Sequence, residues 1–364
     1  MNRNLPDLIL LLALIALVSL GSLMLVSASS VLGLDLHGDA YYFIKHQIIY
    51  GIIPGIIILG LVIMIPYHWW KKAVVPLLVF VLFLLILVFI PSFNMTYGGA
   101  SRWVHLGFFS VQPAEFAKLS VILYIAALFS NREKTVGVQK ALIPFMVVVG
   151  LVGLLIMKQP DIGTLVVVTG ASVLLYYIAG GKASHVLGFI ASGFVIMMIL
   201  IRLAPYRLAR FTTFLHPELD PRGIGYQVHQ ALLAIGSGGI WGLGFGRSRQ
   251  KFRYLPEPAG DSIFAIASEE LGFLRMIVLL TLYVFIVWRG YQIAKNAPDT
   301  FGKLVAAGIT SWFFVQAVVH IGANLSILPL TGIPLPLVSY GGSALVITLA
   351  GAGILLNISR YSKD

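Results

Sequence analysis

A succession of apolar runs, each close to the length that a helix needs to cross a bilayer, constrains the fold more than any other feature of this chain. A spanning helix needs about 20 mostly apolar residues. Only 11% of the 364 residues are charged, whereas soluble domains are roughly a quarter charged. The sequence therefore predicts an all-α integral membrane protein that forms a single polytopic domain over 1–364.

The apolar runs predict about ten transmembrane helices. The first is longer than the apolar core of a typical signal peptide, so an uncleaved helix is predicted, although Ser27-Ala28-Ser29 resembles a signal-peptidase site. The predicted segments are 7–30, 44–65, 73–91, 114–130, 141–157, 163–180, 184–203, 263–288, 303–325 and 339–358.

The distribution of Lys and Arg predicts that both termini lie in the cytoplasm, because short cytoplasmic loops carry an excess of these residues. With that orientation the short inside loops hold most of the cations and the short outside loops hold few. The longest polar segment, about 204–262 between the seventh and eighth helices, then lies outside.

This outer loop is strongly basic, and it ends in an acid, Asp261, just before the chain becomes apolar again. Asp is also a preferred N-cap, which is the structural alternative for this residue. The many preceding cations favour a site for an anionic, lipid-linked substrate, with Asp261 as the group that moves a proton. The cations between Ile201 and Ile263 are Arg202, Arg207, Arg210, Arg222, Arg247, Arg249, Lys251 and Arg253.

Further acids lie in or beside apolar helices, where an ionisable group is costly and is a candidate for function. Glu115 shares a helix face with Lys118, three residues on, so the two predict either a structural pair or a pair that lines a site. Asp161 is predicted to cap its helix or to help orient a polar ligand there. Glu269 and Glu270 are predicted to pair with Lys or Arg from another helix.

A polar stripe and two glycine-containing segments complete the candidates. His320 shares a helix face with Gln316 and Asn324, which predicts interhelical hydrogen bonds. The Pro- and Gly-rich segment 329–343 predicts a re-entrant outer loop, because irregular backbone at membrane depth must be buried or line a cavity, and Ser339 and Gly341 within it are predicted substrate contacts. The glycines of 236–246 predict either close packing or backbone amides near a phosphate.

Several kinds of site are excluded. The chain has no cysteine, so it has neither disulfides nor thiolate metal sites. No His or Cys spacing matches a metal site, and no nucleotide-binding motif is present. The cations lie close to the membrane and belong to no separate domain, which argues against nucleic-acid binding.

Together, eight short motifs make the chain similar to the SEDS (shape, elongation, division and sporulation) family of FtsW/RodA/SpoVE type. Each motif is weak alone, but their order and spacing run nearly end to end. The motifs are Gly98-Gly-Ala-Ser-Arg-Trp103, Val111-Gln-Pro-Ala-Glu115, Gln159-Pro-Asp-Ile-Gly-Thr164, Gln230-Ala-Leu-Leu-Ala-Ile-Gly-Ser-Gly-Gly239, Tyr254-Leu-Pro-Glu257, Asp261-Ser-Ile-Phe-Ala265, Glu269-Glu-Leu-Gly272 and Pro334-Leu-Pro-Leu-Val-Ser-Tyr-Gly-Gly-Ser343.

The resemblance implies a peptidoglycan glycosyltransferase in the bacterial cytoplasmic membrane, with about ten helices and both termini cytoplasmic. It implies polymerisation of lipid II into glycan strands on the outer face, beside a class B penicillin-binding transpeptidase and other divisome or elongasome membrane proteins. The family's essential acid maps onto Asp261. The family usually has a His-Thr pair before this acid, whereas Ala259-Gly260 stand here. The segment 244–251 is closer to the FtsW branch than to the elongation branch.

The chemistry implied is an inverting glycosyl transfer that releases lipid pyrophosphate. Asp261 is predicted to be the general base that accepts the proton of the attacking sugar hydroxyl. The leaving pyrophosphate needs fixed positive charge, which arginine supplies well. No nucleotide cofactor is implied. The need for a divalent cation is left open, and no cluster of ligand residues supports one. The candidate phosphate-binding residues are Arg210, Arg247, Arg249 and Lys251, with Arg102 a lesser one.

Two other functions stay open. A lipid II flippase, which moves the lipid without chemistry, predicts acids along a path through the bundle, and Glu115, Lys118 and Glu270 could supply them. A scaffold that only activates a transpeptidase predicts that Asp261 is dispensable.

Overall fold

The computed structural model describes residues 4–97, 100–105, 107, 110–132, 141–203, 205–216 and 223–362, and this part of the chain is mostly helical. The helices in chain order are α1 Leu8–His37, α2 Tyr42–Gln47, a π-helical segment Ile48–Ile52, α3 Ile53–Met64, α4 His68–Leu87, α5 Pro113–Arg132, α6 Leu142–Lys158, α7 Ile162–Ile178, α8 Ala183–Leu203, α9 Pro205–Leu215, α10 Ile224–Gly238, α11 Ile263–Asn296, α12 Thr300–Asn324 and α13 Gly342–Ser359.

Each of the ten predicted segments overlaps one of these helices, with α2, the π-helical segment and α3 forming the second. Among the described residues, seven segments are long and apolar enough to cross a membrane. Three others are apolar but shorter, so ten membrane crossings stay a prediction. These three are Leu142–Lys158, Ile162–Ile178 and Ala183–Ile199.

The two ends of the chain meet at one end of the helix bundle. The Asn4 amide donates to the Arg360 carbonyl over 3.0 Å, and the Arg289 Nε donates to the Asp7 carboxylate over 2.5 Å. Because Arg289 lies near the far end of α11, the start of α11, with Asp261 just before it, lies at the opposite end. The side of the membrane that each end faces stays a prediction.

The prediction of an all-α fold is wrong for the segment between α4 and α5. Three short antiparallel strands form there: β1 Asn94–Tyr97, β2 Ala100–His105 and β3 Ser110–Val111. β2 is the middle strand, and its Val104 is buried against Leu87 and Val88 at the end of α4. The sheet satisfies the backbone groups of a segment that is not apolar for long enough to form a spanning helix.

The long loop between α8 and α11 also contains structure that its polar composition did not predict, namely α9 and α10. After α10, the glycine-rich segment packs against α11 where that helix is interrupted at Gly272 (φ 75°, ψ 173°). A Cβ atom on Gly242 would lie only 2.3 Å from the Glu270 carbonyl oxygen. The glycines of this segment therefore permit close packing, which was one of their two predicted roles.

The interruption of α11 leaves backbone groups that the glycine-rich segment satisfies. The amides of Leu243 and Gly244 donate to the carbonyls of Glu269 and Glu270, each over 3.0 Å. Beyond the break, the Phe273 amide donates to Gly239 over 2.9 Å. A broken helix is stable at membrane depth only when its freed groups find such partners.

Candidate functional site

Asp261 lies in a compact turn that leads into α11. The amides of Gly260 and Ser262 both donate to the Glu257 carbonyl, over 3.3 and 3.2 Å. The Ser262 hydroxyl donates to the Pro256 carbonyl over 2.9 Å. These local bonds close the turn and place Asp261 at its exit.

Three consecutive carbonyls of this turn accept hydrogen bonds from the end of α12 and from the segment before α13. The carbonyl of Ala259 accepts from the Tyr340 amide over 3.0 Å. The next, that of Gly260, accepts from the Ser339 hydroxyl over 2.9 Å. The Asp261 carbonyl itself accepts from the Asn324 side-chain amide, also over 2.9 Å.

These contacts bear on the departure from the family pattern before the acid. Ala259 and Gly260, where the resemblance implies a His-Thr pair, contribute carbonyl oxygens to the contacts that fix the turn, and these contacts do not depend on their side chains. In this chain the turn before Asp261 is therefore held without a His-Thr pair.

The Asp261 side chain is partly exposed and faces the segment before α13. A Cβ atom on the exposed residue Gly332, where φ is +69°, would lie 3.3 Å from Asp261 Oδ2. A side chain at that position would be strained by the backbone conformation and would crowd the carboxylate. Gly332 therefore leaves space beside the acid, which no motif in the sequence indicates.

Glu257 is the second acid of this turn. The packed turn around it desolvates the carboxylate, which raises the pKa of Glu257 above its ordinary value, although part of the side chain reaches solvent. Its carbonyl closes the turn, so its backbone has a structural role here.

The polar stripe on α12 forms hydrogen bonds, as predicted, but mainly to the segment before α13. The Gln316 Nε2 donates to the Pro334 carbonyl over 2.8 Å, and the His320 Nδ1 lies 2.8 Å from the Ile333 carbonyl. Asn324 completes the stripe by binding Asp261. One face of α12 thus holds both the catalytic candidate and the irregular segment beside it.

Glu269 and Glu270 are fully buried, and both bind the loop that precedes α11, whereas a Lys or Arg from another helix was predicted as their partner. Glu270 Oε1 lies 3.3 Å from the Lys251 Nζ and accepts a hydrogen bond from the Ser27 hydroxyl over 2.6 Å. Glu269 accepts from the Ser248 hydroxyl and, over 3.0 Å, from the Arg249 amide. The two carboxylates therefore clamp the end of the basic loop.

The same contacts bury Lys251 inside the protein. Its side chain is 5% exposed, and its ammonium donates to the Ser27 hydroxyl and the Gly246 carbonyl, over 3.0 and 2.7 Å. Its contact with pyrophosphate stays a prediction. In the structure its ammonium is paired with the Glu270 carboxylate.

Glu115 and Lys118 form a buried ion pair of 2.7 Å, with side chains 1% and 2% exposed. Lys118 also donates to Gln316 Oε1 over 2.9 Å and lies 5.4 Å from the centroid of the Trp312 ring. These contacts match the structural pair, one of the two predicted alternatives. The acids that a transport path would need, Glu115 and Glu270, are thus each closed in an internal pair.

Asp161 caps α7, which was its structural alternative. Its Oδ1 accepts from the Thr164 amide over 3.1 Å, and its Oδ2 accepts from the Thr164 hydroxyl over 2.9 Å. Arg102 lies close by, because its guanidinium donates to the carbonyls of Gln159 and Pro160 just before this cap. Substrate contacts of Asp161 and Arg102 stay predictions.

Arg247 and Arg249 are exposed. Neither guanidinium has an ion-pair partner within the described part of the chain. The glutamates fix the backbone around them, so they are cations on an anchored loop. Arg210 lies in α9, but its side chain and residues 217–222, with Arg222, lie outside the described part.

Ser339 and Gly341, the two predicted substrate contacts in the segment before α13, form hydrogen bonds within the protein. Ser339 accepts from the Leu335 amide over 2.8 Å while donating to Gly260. The Gly341 amide donates to Gln47 Oε1 over 3.0 Å. Both residues hold the segment in place, and a direct contact with substrate stays a prediction. Within the described residues, no group of three or more His, Cys, Asp or Glu could hold a metal ion.

Comparisons with known proteins match the chain along its whole length. The family model FTSW_RODA_SPOVE, described as cell cycle protein, matches residues 7–364. Stage V sporulation protein E of Bacillus subtilis is 41% identical over 366 residues, covering 100% of this chain and 99% of that protein. A protein of Trichlorobacter lovleyi named probable peptidoglycan glycosyltransferase FtsW is 40% identical, covering 98% and 94%.

The fold matches as well. A solved chain from work on the structural coordination of polymerization and crosslinking by a peptidoglycan synthase complex superposes with a TM-score of 0.80 at 27% identity. The match covers 98% of this chain and 99% of that one.

Proposed function

Because this chain belongs to the FtsW/RodA/SpoVE family, we propose that it is a peptidoglycan glycosyltransferase that polymerises lipid II with Asp261 as general base. The names of its relatives support the reaction, and their division and sporulation names support a role in septal wall synthesis. The observation that carries the assignment of Asp261 is geometric. Three hydrogen bonds fix the carbonyls around a partly exposed carboxylate that lies beside the open position of Gly332.

The reaction forms one bond and breaks one. The hydroxyl oxygen of the acceptor sugar attacks the anomeric carbon of the donor, and its proton passes to Asp261. The bond between that carbon and the lipid pyrophosphate breaks, and the pyrophosphate leaves with the electron pair. Displacement from the opposite face inverts the anomeric centre. A positioned general base contributes about 10²–10⁴-fold to such a step.

The exposed arginines supply the charge that the leaving group needs. Hydrogen bonds between guanidinium and phosphate are charge-assisted and often bidentate. Glu269 anchors the loop through the Arg249 amide, so the Arg249 side chain remains available while its backbone is fixed. Such preorganised charge acts where negative charge develops in the transition state.

We expect Arg247→Ala and Arg249→Ala each to raise the KM for lipid II about tenfold, because a hydrogen bond to a charged group contributes about 1.5–3 kcal/mol. Polymerisation of purified protein at varied lipid II concentration measures this. Arg253→Ala is the matched control in the same loop, since its guanidinium already pairs with Asp35 at 2.7 Å. Equal KM values for the three variants would remove the phosphate assignment.

Asn324 is proposed as a positioning residue, since it acts on the backbone of Asp261. We expect Asn324→Leu to lower kcat about tenfold with little change in KM, because small misplacements of a catalytic group can cost up to about 100-fold. Steady-state kinetics separate the two constants. Asn296→Leu, at the other end of the bundle, is the control, and a wild-type kcat in Asn324→Leu would contradict this role.

Incubation of the purified full chain with lipid II tests the proposed function. Glycan chains resolved on a gel are the expected product, without added nucleotide. Lipid II movement across vesicles with no polymer in any preparation would favour the flippase instead.

A protein partner is part of the proposal as well. One structural neighbour comes from a peptidoglycan synthase complex, which supports a class B penicillin-binding transpeptidase as the partner of this chain. The same proposal includes lipid II as the substrate, contacts with other divisome proteins, and an orientation in which Asp261 faces outward.

A further inference from the structure

A groove lies at the end of the bundle opposite Asp261, where α11 ends and α12 begins. Its volume is about 410 Å³, within the range of about 300–1,000 Å³ that small-molecule sites occupy. The residues that line it come from α7, α11 and α12. They are Ile178, Tyr291, Ala294, Lys295, Lys303 and Ala307.

The groove changes from apolar to cationic toward the end of the bundle. On α11, Lys295 lies one helical turn beyond Tyr291, and on α12, Lys303 lies one turn before Ala307. Since α11 ends and α12 begins at this end, both lysines lie nearer the membrane surface than the apolar residues of their own helices.

The interior of the groove is lined mostly by apolar side chains. Ala294 and Ala307 are small and buried, so we take them as its floor, and Ile178 at the end of α7 adds to its apolar lining. The Tyr291 hydroxyl lies 2.9 Å from the Ser311 hydroxyl, so its polar atom is satisfied and its ring can serve as an apolar wall.

The two lysines have no competing partner within the described residues. Both are exposed, and neither forms an ion pair there. Asp299 lies in the turn between the helices, but its Oδ1 accepts from the Gly302 amide over 2.7 Å, and its Oδ2 lies 3.3 Å from the His68 Nε2. The nearest acid in sequence is thus engaged with the cap of α12 and with α4.

We propose that this groove binds an anionic phospholipid, with an acyl chain against the apolar wall and the phosphate between Lys295 and Lys303. Charge complementarity selects the anionic headgroup, because basic pockets between transmembrane helices bind such groups and each surface cation contributes measurably to the attraction. The apolar interior selects a lipid over a soluble anion, because a soluble phosphate would leave that surface uncovered. This inference does not depend on the proposed glycosyl transfer.

The test measures lipid retained by the purified full chain, using native mass spectrometry after incubation with phosphatidylglycerol or phosphatidylcholine. We expect the wild type to retain phosphatidylglycerol preferentially and the double variant Lys295→Gln/Lys303→Gln to retain about tenfold less. The control, Lys71→Gln/Lys72→Gln, removes two charges from the start of α4 at the same end and is expected to behave as wild type. Equal losses in the two double variants would overturn the site in favour of diffuse surface charge.

Two further measurements separate the headgroup from the acyl chain. Ala307→Leu keeps both lysines and fills the floor, so it is expected to lower retention of phosphatidylglycerol while the wild-type elution profile on size exclusion is kept. If that variant does not fold, the single variants Lys295→Gln and Lys303→Gln are each expected to lose part of the retention. Excess soluble glycerol phosphate is expected not to displace the lipid. Displacement, or the absence of any preference over phosphatidylcholine, would overturn the proposal.

Discussion

Asp261→Asn is expected to lower the rate of lipid II polymerisation by about 10²–10⁴-fold while leaving lipid II binding unchanged. Asparagine keeps the size of the side chain and the backbone contacts of the turn, but its amide cannot accept the proton of the attacking hydroxyl. The three carbonyl contacts that position residue 261 come from the backbone, so the substitution leaves them available. Glycan synthesis by the purified variant, measured beside lipid II binding, gives the two quantities separately.

The matched control for this experiment is Asp39→Asn. Asp39 follows the end of α1, at the same end of the bundle as Asp261, and forms an exposed ion pair of 2.7 Å with Lys45. The control removes the same charge by the same chemical change, so it should polymerise lipid II at the wild-type rate. A wild-type rate in Asp261→Asn would refute the role of Asp261 as general base.

Glu270→Gln is expected to destabilise the folded protein by about 3 kcal/mol or more, since removing one partner of a buried ion pair typically costs about 3–5 kcal/mol. The Lys251 side chain, which is 5% exposed, would lose its counter-charge. The effect should appear as a lower apparent unfolding temperature in detergent, followed by tryptophan fluorescence or by loss of the monodisperse peak on heating.

Two variants make this prediction specific. Asp35→Asn breaks the exposed pair with Arg253 and is expected to cost less than about 1 kcal/mol. Adding Lys251→Met to Glu270→Gln removes the buried charge and should recover part of the loss, because the two residues interact directly. If Glu270→Gln is as stable as Asp35→Asn, the pair does not anchor the basic loop.

The sequence predicted the helical segments well and the contacts of the site only partly. α4 illustrates the first point, because its apolar run alone predicts a helix, although the predicted segment 73–91 began five residues late and ended four late against His68–Leu87. The aromatic and basic residues at its start are not apolar, and the helix includes them. The sheet at β2 was missed because its strands are short and irregular in hydrophobic pattern.

The candidate site shows why residue type was a weaker guide than residue position in space. Lys251 and Arg249 are two residues apart and carry the same charge, yet one is buried against Glu270 and the other is exposed. Asn324 was predicted to make hydrogen bonds between helices, but its partner is the backbone of the acid itself. Neither outcome follows from spacing along the chain.

The sequence by itself determined that this chain is a helical membrane protein, roughly where its apolar helices lie, and which acid ends the basic loop. Each apolar run must satisfy its backbone hydrogen bonds within itself at membrane depth, so local composition is sufficient to specify a helix. Tertiary structure alone decided the partners of the buried charges and of the Asp261 turn. Ser27 meets Glu270 across 243 residues of sequence, and Ser339 meets Gly260 across 79, and such contacts depend on how the helices pack rather than on any local pattern.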